Sequence, residues 1–344
     1  QGLFGKHAGA KTDEHPESED VLAPASTRVR WIWGGLVVLL ATAPVWVGAY
    51  WIDSITEIMI LALFAWSFYM LAGACGVVSF GQAAFLALGI YTPALLFKYF
   101  NLGMVEGLLL APVAACVGAA LFGWVSSRLT GLYFSMLTLA FAQILWAIAY
   151  QWMDVTNGER GIIGIARPAW AGDRVAYYFL VFVLVAGCIL AMRKLMFSPF
   201  GYSLRAGRDS ELRAEATGIP VHRQRWMAFV LAGAVSGLAG GLMLYQKGGA
   251  FPAYIDLSAS IDVYVMGLLG GLQSLDGPIL GAAVYRVTKN ILQASFHYWS
   301  LILGVILILV ALFMPRGING LVKSLLDRRA VARGNAQFAT SGAS

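Results

Sequence analysis

The sequence predicts an all-α polytopic membrane protein of about ten transmembrane helices, with nine as the alternative. Three observations carry that prediction. Hydrophobic residues make up 59% of the 344, and charged residues only 12%, roughly half of the ~25% typical of a soluble domain. Several apolar runs exceed the roughly 20 residues that cross about 30 Å of hydrocarbon as a helix. The short segments of alternating polarity that mark a β-barrel are missing from the sequence.

Residues 1–30 are polar, with an acidic cluster from Asp13 to Asp20 and no apolar core of a signal peptide; they read as a disordered cytoplasmic tail. A membrane domain over 31–315 follows, then a basic tail over 316–344. Ten spans fit near 31–50, 56–75, 80–99, 105–127, 132–152, 175–192, 227–246, 258–272, 277–294 and 299–314. Arg28 and Arg30 abut the first span and hold the N-terminus inside by the positive-inside rule. The same rule puts Arg128 and the tail cations Arg316, Lys323, Arg328, Arg329 and Arg333 in the cytoplasm, and the loops 153–174 and 247–257 outside. Splitting 258–294 at Gln273–Gly277 is what returns the tail to the cytoplasm. It also leaves Arg286 and Lys289 inside a span, to snorkel or to face a wet interior.

Two segments are broken by glycines: Gly73 to Gln82, and Gly267 to Pro278. Irregular backbone survives at membrane depth only inside protein or beside water, and transporters run their substrate path past such interruptions. Gly233, Gly237 and Gly241 share one helix face, the spacing of close helix packing, and Gly270 and Gly271 add to the small-residue set.

Motifs for enzyme chemistry do not occur. The sequence holds no GxxxxGK[S/T] phosphate loop, HExxH, CxxC or GxSxG, so neither ATP binding by that loop nor catalysis is expected. Cys75, Cys116 and Cys188 lie in apolar runs and read as small buried hydrophobes. The histidines His7, His15, His222 and His297 are scattered, so no metal site is expected. The net charge of +6 sits at span ends and is no signature of nucleic-acid binding. Glu57, Glu106 and Asp262 fall near the outer ends of spans, where interfacial solvation is the expectation. No carboxylate or histidine chain at mid-membrane suggests a proton-driven carrier, so energy is expected from a partner.

One soluble island remains, Arg193–Arg225 (loop 193–226), with seven Lys/Arg against three Asp/Glu. Within it Ser210–Gly218 is helix-forming, with Gly218 and Pro220 as stop signals. Glu211 and Glu215 share a face one turn apart. Composition leaves two readings open: a loop facing lipid headgroups, or a docking surface flanked by Arg205, Arg208 and Arg213.

Several ordered segments tip the choice. GVVSFGQAAFLALGIYTPALL (Gly76–Leu96), GLYFSMLTLAFAQILW (Gly131–Trp146), TNGERGI (Thr156–Ile162), SPFGYSLRAGRDSELRAEATGI (Ser198–Ile219) and MGLLGGLQSLDGPILGA (Met266–Ala282) resemble the LivM-type permeases of branched-chain amino acid ABC importers. The resemblance runs from about Ile55 to Arg316. It implies a non-enzymatic subunit in a bacterial inner membrane with both termini cytoplasmic, importing a branched-chain or other hydrophobic amino acid.

The implied partners are a LivH-like second permease, two cytoplasmic ATPases (LivG-like and LivF-like), a periplasmic binding protein and membrane lipid, without nucleic acid. The chain itself would hold no cofactor, ATP and Mg belonging to the ATPases. The resemblance makes Arg205, Arg208, Glu211, Arg213, Glu215 and Gly218 the ATPase-coupling segment; the binding protein is expected to dock on the outer loops, at Asn157, Gly158 and Glu159 of the stretch Asn157–Gly161 and on Gly248–Tyr254. Ser79, Gln82, Tyr91 and Thr92, backed by Tyr133, Thr138 and Gln143, are the candidates for pathway lining; each is equally suited to an interhelical hydrogen bond. Gln82 stands where a histidine is common, and TNGERG where a TGG-type loop is usual. Urea, short amides and other small organic solutes therefore stay open as cargo, as do an ATP-independent carrier or channel.

Overall fold

The computed structural model describes residues 27–129, 131–272, 274–295, 297–313 and 317. The expected tails lie almost wholly outside the described residues, together with Gln273 and the tail cations Arg316, Lys323, Arg328, Arg329 and Arg333. Helix α1 (Thr27–Trp46) belongs to a compact unit of its own that ends at Val45.

The second unit begins at Trp46. It holds α2 (Ala49–Tyr69), which continues through a π turn to Ala74, then α3 (Gln82–Phe100), α4 (Met104–Ser126) and α5 (Gly131–Gln151). A single turn, α6 (Met153–Thr156), leads into α7 (Arg174–Met196). The island folds as α8 (Pro199–Asp209) and α9 (Glu211–Ala216). Helices α10 (Val221–Lys247), α11 (Leu257–Gly270), α12 (Gly277–Ser295) and α13 (Trp299–Phe313) complete the described chain.

Each of the ten expected spans overlaps one of α1–α5, α7 and α10–α13, although α2 starts at Ala49, within the expected first span. Seven helices among the described residues are long and apolar enough to cross a membrane, the seventh counted from Pro252 to Gly270. Of the remaining helices, α12 carries Arg286 and Lys289, which lower its hydropathy. Gly271 ends α11 with φ of 96°, a left-handed value that glycine adopts without strain; the turn to α12 falls where the split was expected. The protein is an all-α polytopic membrane protein.

The core is a three-helix contact among α3, α4 and α10 built on missing side chains. A Cβ on Gly233 would overlap Ala119, one on Gly237 would overlap Ala115, and one on Gly241 would meet Ala111 at 3.0 Å. Ala111, Ala115 and Ala119 are all fully buried on α4 at the same four-residue interval. On its other side Gly237 lies backbone to backbone with Gly89 of α3, and Gly240 meets the Leu86 carbonyl. Helix backbones approach this closely only where no side chain intervenes. Gly270 is likewise pressed against Gly277, which closes α11 onto α12. Of the cysteines, Cys75 is buried while Cys116 and Cys188 are only half-buried, and all three are free.

The C-terminal ends of α2 and α7 and the start of α10 meet α8 and α9, which defines an island end of the bundle. At the opposite end, β1 (Ile162–Ile163) pairs antiparallel with β2 (Gly249–Ala250), Ile162 facing Ala250. The two loops expected outside are thus joined to one another.

Replacing Gly237 by leucine should destabilise the purified chain by at least about 1–3 kcal/mol, the range for overpacking. Gly187 on α7 has nothing within 4 Å of its would-be Cβ, so Gly187→Leu should leave the melting temperature unchanged. Equal melting of the two variants would contradict the packing described.

Candidate functional site

Between Ala74 and Gln82 the helical ladder is interrupted; the Val77 N–H still reaches the Leu71 carbonyl at 3.0 Å, but most of this backbone must find other partners. It finds them on three different helices. The Ser135 hydroxyl on α5 donates to the Val78 carbonyl at 2.7 Å. The Phe80 N–H donates to Thr138 Oγ1 at 3.2 Å. From α11, Ser260 donates to the Phe80 carbonyl at 2.6 Å and accepts from the Ala83 N–H at 3.3 Å. Ser236 of α10 donates to the Gln82 carbonyl at 3.3 Å. Gly76 turns the chain with φ of 75°, beneath the side chain of Arg208.

This cradle brings together three of the seven residues read as pathway lining. Ser79, Gln82 and Thr138 are all buried in it. Ser79 Oγ accepts from the Gly81 N–H, and Gln82 Oε1 accepts from Ser67 at 3.4 Å. The others are not gathered there. Tyr91 is buried and Thr92 half-buried further along α3, while Gln143 is half-buried on α5. Tyr133 points outward, 75% exposed. Gln82 Nε2, Tyr91 Oη and Gln143 Nε2 are buried polar atoms with no hydrogen-bond partner among the described residues.

The charges expected at the membrane interface are instead paired inside the bundle. Glu57 on α2 accepts from Lys247 of α10 at 2.9 Å and from Arg286 of α12 at 2.6 Å, and its side chain is only 13% exposed. Asp262 on α11 takes Lys289 of α12 at 2.9 Å, and Lys289 also reaches the Tyr285 hydroxyl at 3.2 Å. Interfacial solvation is thus replaced by ion pairing at Glu57 and Asp262, because the cations of α12 lie directly across from them. Glu106 does stay exposed. Sequence offers one signal for the arrangement: cations and anions on separate spans at like distances from the membrane surface.

At the island end, the coupling candidates divide into inward and outward groups. Arg205 is folded back, donating to the Gly201 and Met196 carbonyls at 3.1 and 2.8 Å. Arg208 donates to the Gly73 carbonyl at 2.6 Å, which joins α8 to the end of the π turn. Glu211 is held in a two-pronged pair by Arg225 at 3.1 and 2.9 Å, fixing α9 to the first turns of α10. Arg213, Glu215 and Gly218 are exposed. Beside them Leu212, a residue missed in the sequence, is 82% exposed on the same short helix. Helix α8 was missed as well; Ser198 before Pro199, with proline in the first turn, was the available start signal.

His222 comes near Glu211 and Glu215, their ligating atoms within 4.8 Å of one another. Sequence spacing had suggested only scattered histidines. Since Arg225 already occupies the Glu211 carboxylate, the trio reads as part of the α9–α10 junction.

At the opposite end, Asn157 adopts a left-handed φ of 61° and Gly158 is buried, while Glu159 is exposed. Lys98 at the end of α3 pins this turn by donating to the Asp154 and Val155 carbonyls and to Asn157 Oδ1, at 3.2, 2.9 and 3.2 Å. Arg167 anchors the following stretch, donating to the Tyr245 carbonyl at 2.8 Å with its guanidinium 3.9 Å from the Tyr177 ring centre.

Comparison with known proteins adds an independent observation. Residues 50–311 match the family described as branched-chain amino acid transport system, permease component. The chain is 28% identical over 313 residues to the high-affinity branched-chain amino acid transport system permease protein LivM of Escherichia coli, covering 82% of this chain and 74% of that one. It is 26% identical over 275 residues to a probable branched-chain amino acid transport permease protein LivH of Methanocaldococcus jannaschii, covering 73% and 86%. No solved structure matches.

Removing the Ser260 hydroxyl should cost about 1–3 kcal/mol, since it leaves the Phe80 carbonyl and the Ala83 N–H without that partner. Thermal unfolding of purified Ser260→Ala measures this. Tyr133→Phe, at an outward-facing position, is expected to melt with the wild type.

Proposed function

The chain belongs to the family of branched-chain amino acid transport system permease components, and from that premise we propose that it is one membrane subunit of an ATP-driven importer of a branched-chain or similar hydrophobic amino acid. The observation that carries this reading is the family match over 50–311. As a permease component the chain is a transport subunit rather than an enzyme. Relatives named LivM and LivH both align with it, which supports a pairing of this chain with a LivH-like permease.

In this reading the island end is cytoplasmic, the membrane is the bacterial inner membrane, and both termini are cytoplasmic. The Lys/Arg excess of the island supports that orientation. The outward face of α9, with Leu212, Arg213 and Glu215 exposed, is the contact for a cytoplasmic ATPase that supplies ATP and Mg chemistry. Arg208 then relays motion of that contact, because its guanidinium holds the carbonyl of Gly73 just ahead of the interrupted segment. A periplasmic binding protein docks at the opposite end, on the turn that includes Asn157, Gly158 and Glu159. The interrupted segment at Ser79 and Gln82 borders the substrate path.

Vesicles containing the co-expressed subunits should accumulate radiolabelled leucine only with ATP inside and binding protein outside. Uptake by this chain alone, driven by a proton gradient, would sink the importer reading in favour of a carrier. Leu212→Glu should still insert, yet weaken ATPase retention on purification by about ten- to a hundredfold, the loss expected for one buried leucine. Full retention would move the docking surface away from α9.

A further inference from the structure

The paired charges at the end opposite the island line a cavity of about 230 Å³ between α2, α3, α10, α11 and α12. Two features of this cavity point to a ligand. The first is its charge balance. Three cations, Lys247, Arg286 and Lys289, face two anions, Glu57 and Asp262, which leaves an excess of one positive charge (+3 − 2 = +1). Glu57 takes two of the cations at once. An excess cation in a half-buried site favours a bound anion as its counterion.

The second feature is a polarity gradient repeated on three helices. One turn along from Glu57 the lining residue is Leu61, from Lys247 it is Met243, and from Asp262 it is Met266. Each helix thus presents charge at the end opposite the island and an apolar side chain one turn deeper. The wall suits a molecule with an anionic head and a short aliphatic body.

We propose that this cavity binds a small aliphatic carboxylate, with Arg286 as the principal donor to its carboxylate and the Leu61, Met243 and Met266 level receiving its apolar body. The choice of an amino acid as the natural ligand rests on the importer reading above. The carboxylate itself rests only on the charge balance. The site lies within one chain, apart from the Ser79–Gln82 cradle, and gives a solute arriving at this end its first contact with the membrane subunit.

The test uses the full-length permease in its complex, purified without binding protein and reconstituted in nanodiscs, with radiolabelled L-leucine as the probe. Unlabelled leucine and 4-methylpentanoate should compete, whereas 3-methylbutylamine, which lacks the carboxylate, should not. Arg286→Gln removes the excess cation while leaving Glu57 with Lys247 and Asp262 with Lys289, so no buried charge loses its counterion. It should weaken binding at least about tenfold.

A second variant, Met243→Trp, fills the apolar level without touching a charge and should exclude leucine. Unchanged affinity in either variant, or competition by the amine as strong as by the acid, overturns the proposal. So does equal competition by chloride, which marks a bare anion site. If the variants bind leucine normally while uptake still needs ATP and binding protein, the cavity assignment fails and the importer reading stands. If uptake proves independent of ATP but the variants lose 4-methylpentanoate binding, the importer reading fails and the site stands.

Discussion

Every backbone amide inside a membrane must be paired within the protein, and this fold is arranged around the place where the chain cannot do so locally. Between Ala74 and Gln82 the helix stops. Ser135 and Thr138 of α5, Ser236 of α10 and Ser260 of α11 supply what a helix would have supplied. That requirement fixes three helices against one loop. It also explains why hydroxyl side chains appear in otherwise apolar spans. The price of an irregular segment at this depth is a surrounding that cannot move independently of it.

Arginine ties that segment to the island. Arg208 of α8 bonds the Gly73 carbonyl at the end of the π turn, and Arg193 at the end of α7 pairs at 3.3 Å with Asp276 in the turn between α11 and α12. Both interruptions of regular helix therefore carry an arginine contact at the same end of the bundle. Against them stands the α3–α4–α10 contact, where glycine and alanine bring backbones together and leave little room for adjustment. The centre is close-packed, and both interruptions are held by hydrogen bonds at the island end.

Much of the architecture was legible from residue order. Apolar length located all ten segments, and the glycine-rich stretches located both interruptions, because these depend on local composition. The island stood out through its charge, although α8 within it was passed over despite Ser198 and Pro199 at its start. The site was less legible. Glu57 and Arg286 are 229 residues apart and Glu57 and Lys247 are 190 apart, so periodicity on any one helix says nothing of their meeting. Tyr133, read as backing the pathway lining, is 75% exposed on this chain, an orientation its local composition does not specify.

The sequence alone determined the membrane class, the order of the helices, their interruptions and the soluble island, since each follows from how many consecutive residues water or lipid will accept. Only tertiary structure decided which charges neutralise one another, which hydroxyls serve the broken backbone, and which face of α9 stays open. Those outcomes depend on distances between residues far apart in the chain. A hydrogen bond or an ion pair acts over a few ångströms, and no local pattern specifies which distant helix brings the partner within reach.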